Sequence, residues 1–355
     1  MNWRVIFILV SVIPIMLIFL FTPVSLNDVL SVGIIPFLLS FLATMVRIFL
    51  QAIRFYYFVR KFIGKNVSSF WKIIFARLAG EFVTQTTPSY IGGELVRIAF
   101  LTKSGVPAGR AAWVTTMEII ADVFVGTILA FIAGFVAIAN GSMFIGMLII
   151  AIAAPTFGFW FFILIYSAKK NIRLPSFSLR LAKKFISEQK AQRGINSVNK
   201  ALDDLCIMSR ENFSSFKSVK IFSVGIAITV VAFIFQGLSF LVLTHSVDIY
   251  IGLFLSFMAT ASSTILGTLP ITIGGSGLAE WGLWAYINQL NNVSQIGNII
   301  NDIDQLNVII AWRIASYYLP LVIMWIALMR VALGTNYSKP TPPSSTSTTP
   351  DSRAD

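Results

Sequence analysis

Long apolar runs separated by short polar stretches set the pattern of this chain. Runs near residues 5–22, 33–59, 112–138, 143–166, 219–244 and 306–330 each come close to or exceed the roughly 20 residues that a bilayer-crossing helix needs. They predict six full transmembrane helices. Strands of a membrane barrel would instead read as alternating segments of about ten residues, and these runs are continuous. The first run follows Arg4, as in a signal peptide. It is longer than the usual apolar core of one, and no A-x-A cleavage pattern follows it, so it is expected to stay as a helix.

Two segments do not read as ordinary spans. Residues 73–100 and 250–290 each hold an apolar arm, a break rich in Pro, Gly and Thr, and a second arm. Each predicts a helical hairpin broken inside the membrane. The breaks share a motif: residues 86–93 read TTPSYIGG and residues 268–275 read TLPITIGG. Pro88 and Pro270 remove a backbone donor and end the preceding arm. Gly92, Gly93, Gly274 and Gly275 permit backbone conformations and close approaches that side chains block. The freed N–H and C=O groups cannot face lipid, so they need protein or a wet cavity. An arm that begins just after each Gly pair would offer N–H groups to an anion. Tight packing of small residues is the alternative use of these glycines.

Composition supports the membrane reading. Hydrophobic residues make up 56% of the 355 and charged residues 12%, with a mean hydropathy of +0.81. That excludes a soluble enzyme, a disordered protein and a disulfide scaffold, whose compositions differ sharply. One cysteine, Cys206, precludes an intrachain disulfide, and one histidine, His245, leaves little for a zinc site or a Ser-His-Asp triad. No metal or cofactor motif is legible, so no cofactor and no catalytic residue are expected.

The net charge of +12 points to the cytoplasmic side of a membrane protein, with no nucleic-acid partner expected. Arg60, Lys61, Lys65 and Lys72, then Arg97, Lys103 and Arg110, then residues 167–220, then Arg330 and Lys339 form the basic clusters. The stretch 167–220 holds twelve Lys/Arg and four Asp/Glu, whereas no Lys or Arg lies between Lys220 and Arg313. Both termini are therefore expected in the cytoplasm of a cell (plasma) membrane protein. Hairpin 73–100 should enter from inside and hairpin 250–290 from outside, which is the signature of an inverted-topology repeat. Four regions follow: a first membrane half (1–166), a basic cytoplasmic insertion (167–218), a second membrane half (219–333) and a disordered tail rich in Ser, Thr and Pro (334–355). In the insertion Ile195, Val198, Leu202 and Leu205 recur at helical spacing. It is either an amphipathic helix touching anionic lipid head groups or a solvated linker.

Ionisable residues within the apolar segments are Arg47, Arg54, Arg77, Arg97 and Arg313, with Glu81, Glu94, Glu118, Asp122 and Glu280. A charge at mid-bilayer costs roughly 2.5–3.5 kcal/mol even on the lenient scale, so these are expected to pair or to line a hydrated cavity. Arg77 and Glu81 are four apart, and so are Glu118 and Asp122; Arg47 and Arg54 share a face at seven. Two acids on one face imply an external arginine or a proton. Arg54 and Arg97 lie near the basic flanks and are expected to reach toward the cytoplasmic interface. Arginine in place of lysine suits bidentate binding of phosphate or carboxylate.

These residues carry a resemblance. QAIRF before a basic loop, TPSYIGGELVRIAFL, MEIIAD, LPITIGGSGLAE and WRIASYYLP, in that order over about residues 1–330, resemble the lysylphosphatidylglycerol synthase transmembrane-region family of flippase-like membrane domains. Ile119 stands where that family often has arginine, so Glu118 and Asp122 need another partner. These 355 residues hold no soluble aminoacyl-transfer domain, so lipid aminoacylation is not implied. The resemblance implies an all-α integral membrane protein that moves an anionic or zwitterionic lipid, or a polyprenyl-phosphate carrier, between leaflets. Membrane lipids are then its partners. Its expected substrate-binding residues are Arg47, Arg54, Pro88, Gly92, Gly93, Glu94, Arg97, Glu118, Asp122, Pro270, Gly274, Gly275, Glu280 and Arg313. The alternatives are an intramembrane enzyme acting on a lipid-linked phosphate and a non-catalytic membrane scaffold.

Overall fold

The computed structural model describes residues 32–64, 67–87, 92–169, 188–213, 216–247, 251–269, 274–294 and 302–333. The described residues form an all-α membrane protein. Five helices are long and apolar enough to cross a bilayer: Ile34–Ile63, Ala108–Ala139, Met143–Ser167, Lys217–His245 and Gln305–Leu333. They coincide with five of the six predicted spans. The span at 5–22, the tail at 334–355, Pro88 and Pro270 lie outside the described residues.

Helix α1 (Ile34–Phe58) runs on as a π-helical turn, Val59–Ile63. Its amphipathicity is inverted relative to a soluble helix. Ser40, Thr44 and Arg54 are buried, while Ile35, Leu38 and Leu42 are exposed. In a bilayer the apolar face meets acyl chains and the polar face must turn inward. It does so against α7 (Phe216–His245) and α2 (Phe70–Gln85).

Both predicted hairpins are present as broken helix pairs. Helix α2 is followed by α3 (Gly93–Lys103). The two arms fold back so closely that a Cβ on Gly93 would lie 2.2 Å from the Gly80 carbonyl oxygen and 2.1 Å from Thr84 Oγ1. No side chain fits there, which is the small-residue contact membrane helices use to bring backbones together. The second pair is α8 (Leu253–Gly267) and α9 (Leu278–Ser294). The second arm of the first hairpin starts within its Gly pair; that of the second starts three residues beyond Gly275, because Gly274, Gly275 and Gly277 all have φ between 59° and 86° and delay helix entry.

Helices α4 (Ala108–Ala139) and α5 (Met143–Lys169) pack on each other along their lengths. Helix α10 (Asp302–Arg313), a π-helical turn at Ile314–Tyr318 and α11 (Leu319–Leu333) form the last span. Hairpin α2–α3 packs on α1, α4 and α11, and hairpin α8–α9 on α4, α7 and α10.

The insertion contains an amphipathic helix, α6 (Glu188–Phe213), which packs on α4, α5 and α7. Within it Cys206, Met208 and Ser209 are buried, Ile195 and Leu202 of the predicted stripe are half-buried, and Val198 is exposed. Ser209 and Ser167 of α5 share a buried hydroxyl–hydroxyl bond of 3.0 Å. A stripe of large aliphatics does not reveal this contact between two small polar residues.

Candidate functional site

A cavity of about 630 Å³ lies between the two hairpins, walled by α1, α2, α4, α5, α7 and α10. Seven of the ten membrane charges line it: Arg47, Arg77, Glu81, Glu94, Arg97, Asp122 and Arg313. Arg54, Glu118 and Glu280 complete the set as partners of lining residues.

Glu118 is the hub of this network. Its carboxylate accepts a hydrogen bond from Arg77 Nε, lies 3.2 Å from Arg97 Nε and 3.5 Å from Arg54 Nη2. Four residues on, Asp122 receives both ends of the Arg54 guanidinium, at 2.7 Å and 2.6 Å. That fork-to-carboxylate geometry is specific to arginine. Arg77 also pairs with Glu81, four residues along α2, and Glu81 accepts a bond of 2.9 Å from Gln85. The arginines missing from α4 are thus supplied by α1, α2 and α3. The external arginine implied by two like charges on one face is Arg54.

One expectation needs correction. Arg54 is completely buried and Arg97 is 4% exposed, so neither extends outward toward a membrane interface. Carboxylates facing them across the helix packing hold them inside, where an unpaired charge would be far more costly.

Arg47 points at the cavity and donates a 3.0 Å bond to Gln236 Oε1 of α7. Gln236 in turn donates to Thr264 of α8 at 2.9 Å. At the far side, Arg313 Nε stands 2.7 Å from Glu280, its Nη2 donates to the Gly274 carbonyl at 2.6 Å, and its guanidinium carbon lies 4.0 Å from the Tyr317 ring centroid.

The N–H groups freed at the breaks meet carboxylates of the chain itself. The Gly92 N–H donates to Glu94 Oε2 at 2.7 Å, and the Gly277 N–H to Glu280 Oε2 at 2.7 Å. Both glutamates also reach an arginine: Arg97, 3.9 Å from Glu94, and Arg313. Each post-break helix start therefore carries its own anion, a favourable placement at a positive helix end. Gly92 has φ 120°, and Gly93 serves the close contact with Gly80. Gly274 touches Tyr317 and Gln85: a Cβ there would lie 1.7 Å from Tyr317 Oη and 2.6 Å from the Gln85 carbonyl oxygen.

The sequence profile of the lysylphosphatidylglycerol synthase TM region matches residues 5–324. The chain belongs to this family. No curated protein matches the sequence. Membership covers both hairpins, the network around Glu118 and the Arg313–Glu280 pair, and it makes this a multi-pass membrane protein of a family related to lipid handling. Among the family member's cavity residues, Thr44, Gln51, Gln236, Thr264 and Tyr317 are not among those expected from the sequence, since they are neither charged nor part of a Pro/Gly break. Ser40, Thr44, Arg47, Gln51 and Arg54 recur every three or four residues along α1, and that polar stripe within an apolar run is the signal that finds part of this wall.

Proposed function

We propose that the protein is a flippase-like transporter that moves an anionic or zwitterionic lipid, or a polyprenyl-phosphate-linked carrier, between leaflets. The observation that carries this reading is the collection of seven membrane charges around one cavity between two broken hairpins. A polar head group crossing the bilayer needs such a place, because an apolar medium gives it no substitute for water. The lining set has four arginines and three carboxylates, close to balance. A head group can therefore exchange hydration for fixed charges without bringing the site far from neutrality.

In this reading the halves 1–166 and 219–333 are inverted repeats that rock against each other about the cavity. The shared TTPSYIGG and TLPITIGG motifs and the paired glutamate caps at both breaks support that relationship. The termini face the cytoplasm of the plasma membrane, and the basic insertion 167–218 lies near anionic head groups. The test is purified protein in proteoliposomes with a fluorescent phosphatidylglycerol in one leaflet. Movement to the other leaflet, faster than in protein-free vesicles and lost in Arg47→Gln, is the expected result. Product formation from a lipid-linked phosphate with no lipid movement would overturn it in favour of an enzyme.

A further inference from the structure

The cavity has a second, apolar side. Helices α5 and α7 each pack on α4, α6 and α8, and among the described residues they pack far less on each other than on α4. The space between them is a window, bounded by α6 at one end and α8 at the other, with α4 as its floor. Its two jambs are Pro155 and Phe159 of α5 and Phe233 of α7, and its floor is Val123, Gly126 and Thr127 of α4; all six line the same cavity as Asp122.

The floor is graded along one face of α4. Asp122, with its side chain 31% exposed, stands at the inner end. Val123, Gly126 and Thr127 follow at helical spacing, so the face passes from charge to small and apolar within about one turn. Gly126 keeps the window open: a Cβ there would already lie 3.3 Å from the Phe233 ring. Phe159, at 60% exposed, stands on the outer rim. An apolar fissure opening sideways into a bilayer faces acyl chains, not water.

We infer that the fissure between α5 and α7 binds an acyl chain of a glycerophospholipid whose head group stands in the charged part of the cavity. This rests on the transport reading only in taking the ligand to be a lipid. It assigns the tail a defined place: the chain lies over Val123, Gly126 and Thr127, between the Phe159 and Phe233 rings.

The experiment uses the full-length protein in phosphatidylcholine vesicles containing phosphatidylglycerol with a diazirine on one acyl chain. After irradiation the labelled peptides are sequenced by mass spectrometry. Labels on residues 123–127 are expected, beside the bulk-lipid labels that exposed Phe135 and Phe162 acquire. Gly126→Phe should abolish the floor labels and keep those on Phe135 and Phe162. Labels confined to Phe135 and Phe162 in the unaltered protein would overturn the proposal, whatever the folding of the variant. So would floor labels that persist in Gly126→Phe, or floor labelling by a photoreactive polyprenyl phosphate and not by the phospholipid. Leaflet exchange measured on the same vesicles separates the two ideas: floor labelling without exchange retains the fissure and removes the transporter, and exchange without floor labelling does the reverse.

Discussion

The Tyr317 hydroxyl donates a 2.6 Å hydrogen bond to the Gln85 carbonyl, joining the last span to the end of the first hairpin arm. Arg313, one turn earlier, bonds the Gly274 carbonyl at the second break. Through these two residues the breaks of both hairpins converge on one segment. That segment is Arg313 together with the π-helical turn Ile314–Tyr318 that directly follows it, an uncommon geometry that often marks functional positions. A contact that ties both hairpins together must be released for either to move.

Tyr317→Phe keeps the ring under Arg313 and removes the bond to Gln85. The stability cost should be about 0.5–1.5 kcal/mol, the usual net value of one hydrogen bond. Leaflet exchange should change by more than this loss of folded protein explains. Unaltered exchange with the expected small drop in thermal stability would show that the contact is structural and not a gate.

Glu118→Gln should be among the most damaging single substitutions. It removes the charge that Arg77, Arg97 and Arg54 share, leaving three buried guanidiniums without their common partner. Breaking a buried pair costs about 3–5 kcal/mol, so unfolding in detergent should move to markedly lower temperature. Arg54→Met combined with Asp122→Leu removes a matched pair and should be tolerated better than either change alone. A Glu118→Gln protein as stable as the parent would contradict the hub.

Gly93→Ala should weaken the first hairpin, since its methyl group has no space beside the Gly80 carbonyl and Thr84. Overpacking costs typically about 1–3 kcal/mol, and a backbone carbonyl cannot rotate away as a side chain can. Gly158, in the interior of α5, is the comparison, because a Cβ there would meet nothing within 4 Å. Ala at that position should leave stability equal or slightly raised. Equal behaviour of the two variants would argue against close packing of the arms.

Much of this was legible in the sequence because membrane helices obey few rules. Five spans and two breaks follow from run length and from Pro and Gly alone. The ten charges could be picked out because lipid tolerates so few, and the Arg77–Glu81 pair follows from spacing on one helix. Pairing between helices was not legible. Nothing in MEIIAD says that Arg54, 64 residues earlier than Glu118, will meet it; that depends on how α1 and α4 cross. For the same reason Arg54 and Arg97 read as interfacial when their partners lie inside. The Tyr317–Gln85 contact spans 232 residues and uses a backbone carbonyl, which no side-chain pattern reveals.

Accessibility tests the opposite sense of the hairpins. In a Cys206→Ser background, single cysteines replacing Asn140 and Asn292 should react with an impermeant reagent added outside intact cells. Cysteines replacing Ser68 and Ser104 should not. Outside labelling at position 104 would give the first hairpin an odd number of crossings and remove the inverted repeat.

Arg313 and Glu280 offer the sharpest separation of holding from binding. The guanidinium uses Nε for Glu280, 2.7 Å away, and Nη2 for the Gly274 carbonyl, and it still lines the cavity. A purely structural pair would tolerate joint replacement, because two matched neutral groups leave no buried charge unpaired. A residue that also engages a head group would not. Arg313→Gln and Glu280→Gln should each lower stability, and the double variant should recover part of it, with a coupling of about 0.5–3 kcal/mol. Leaflet exchange should stay low in the double variant, because the Gly274 bond and the charge facing the cavity are both gone. Arg313→Lys should fall between, since an ammonium supplies charge without the fork that reaches two partners at once. Full exchange in the double variant would mean that Arg313 holds helices together and takes no part in binding.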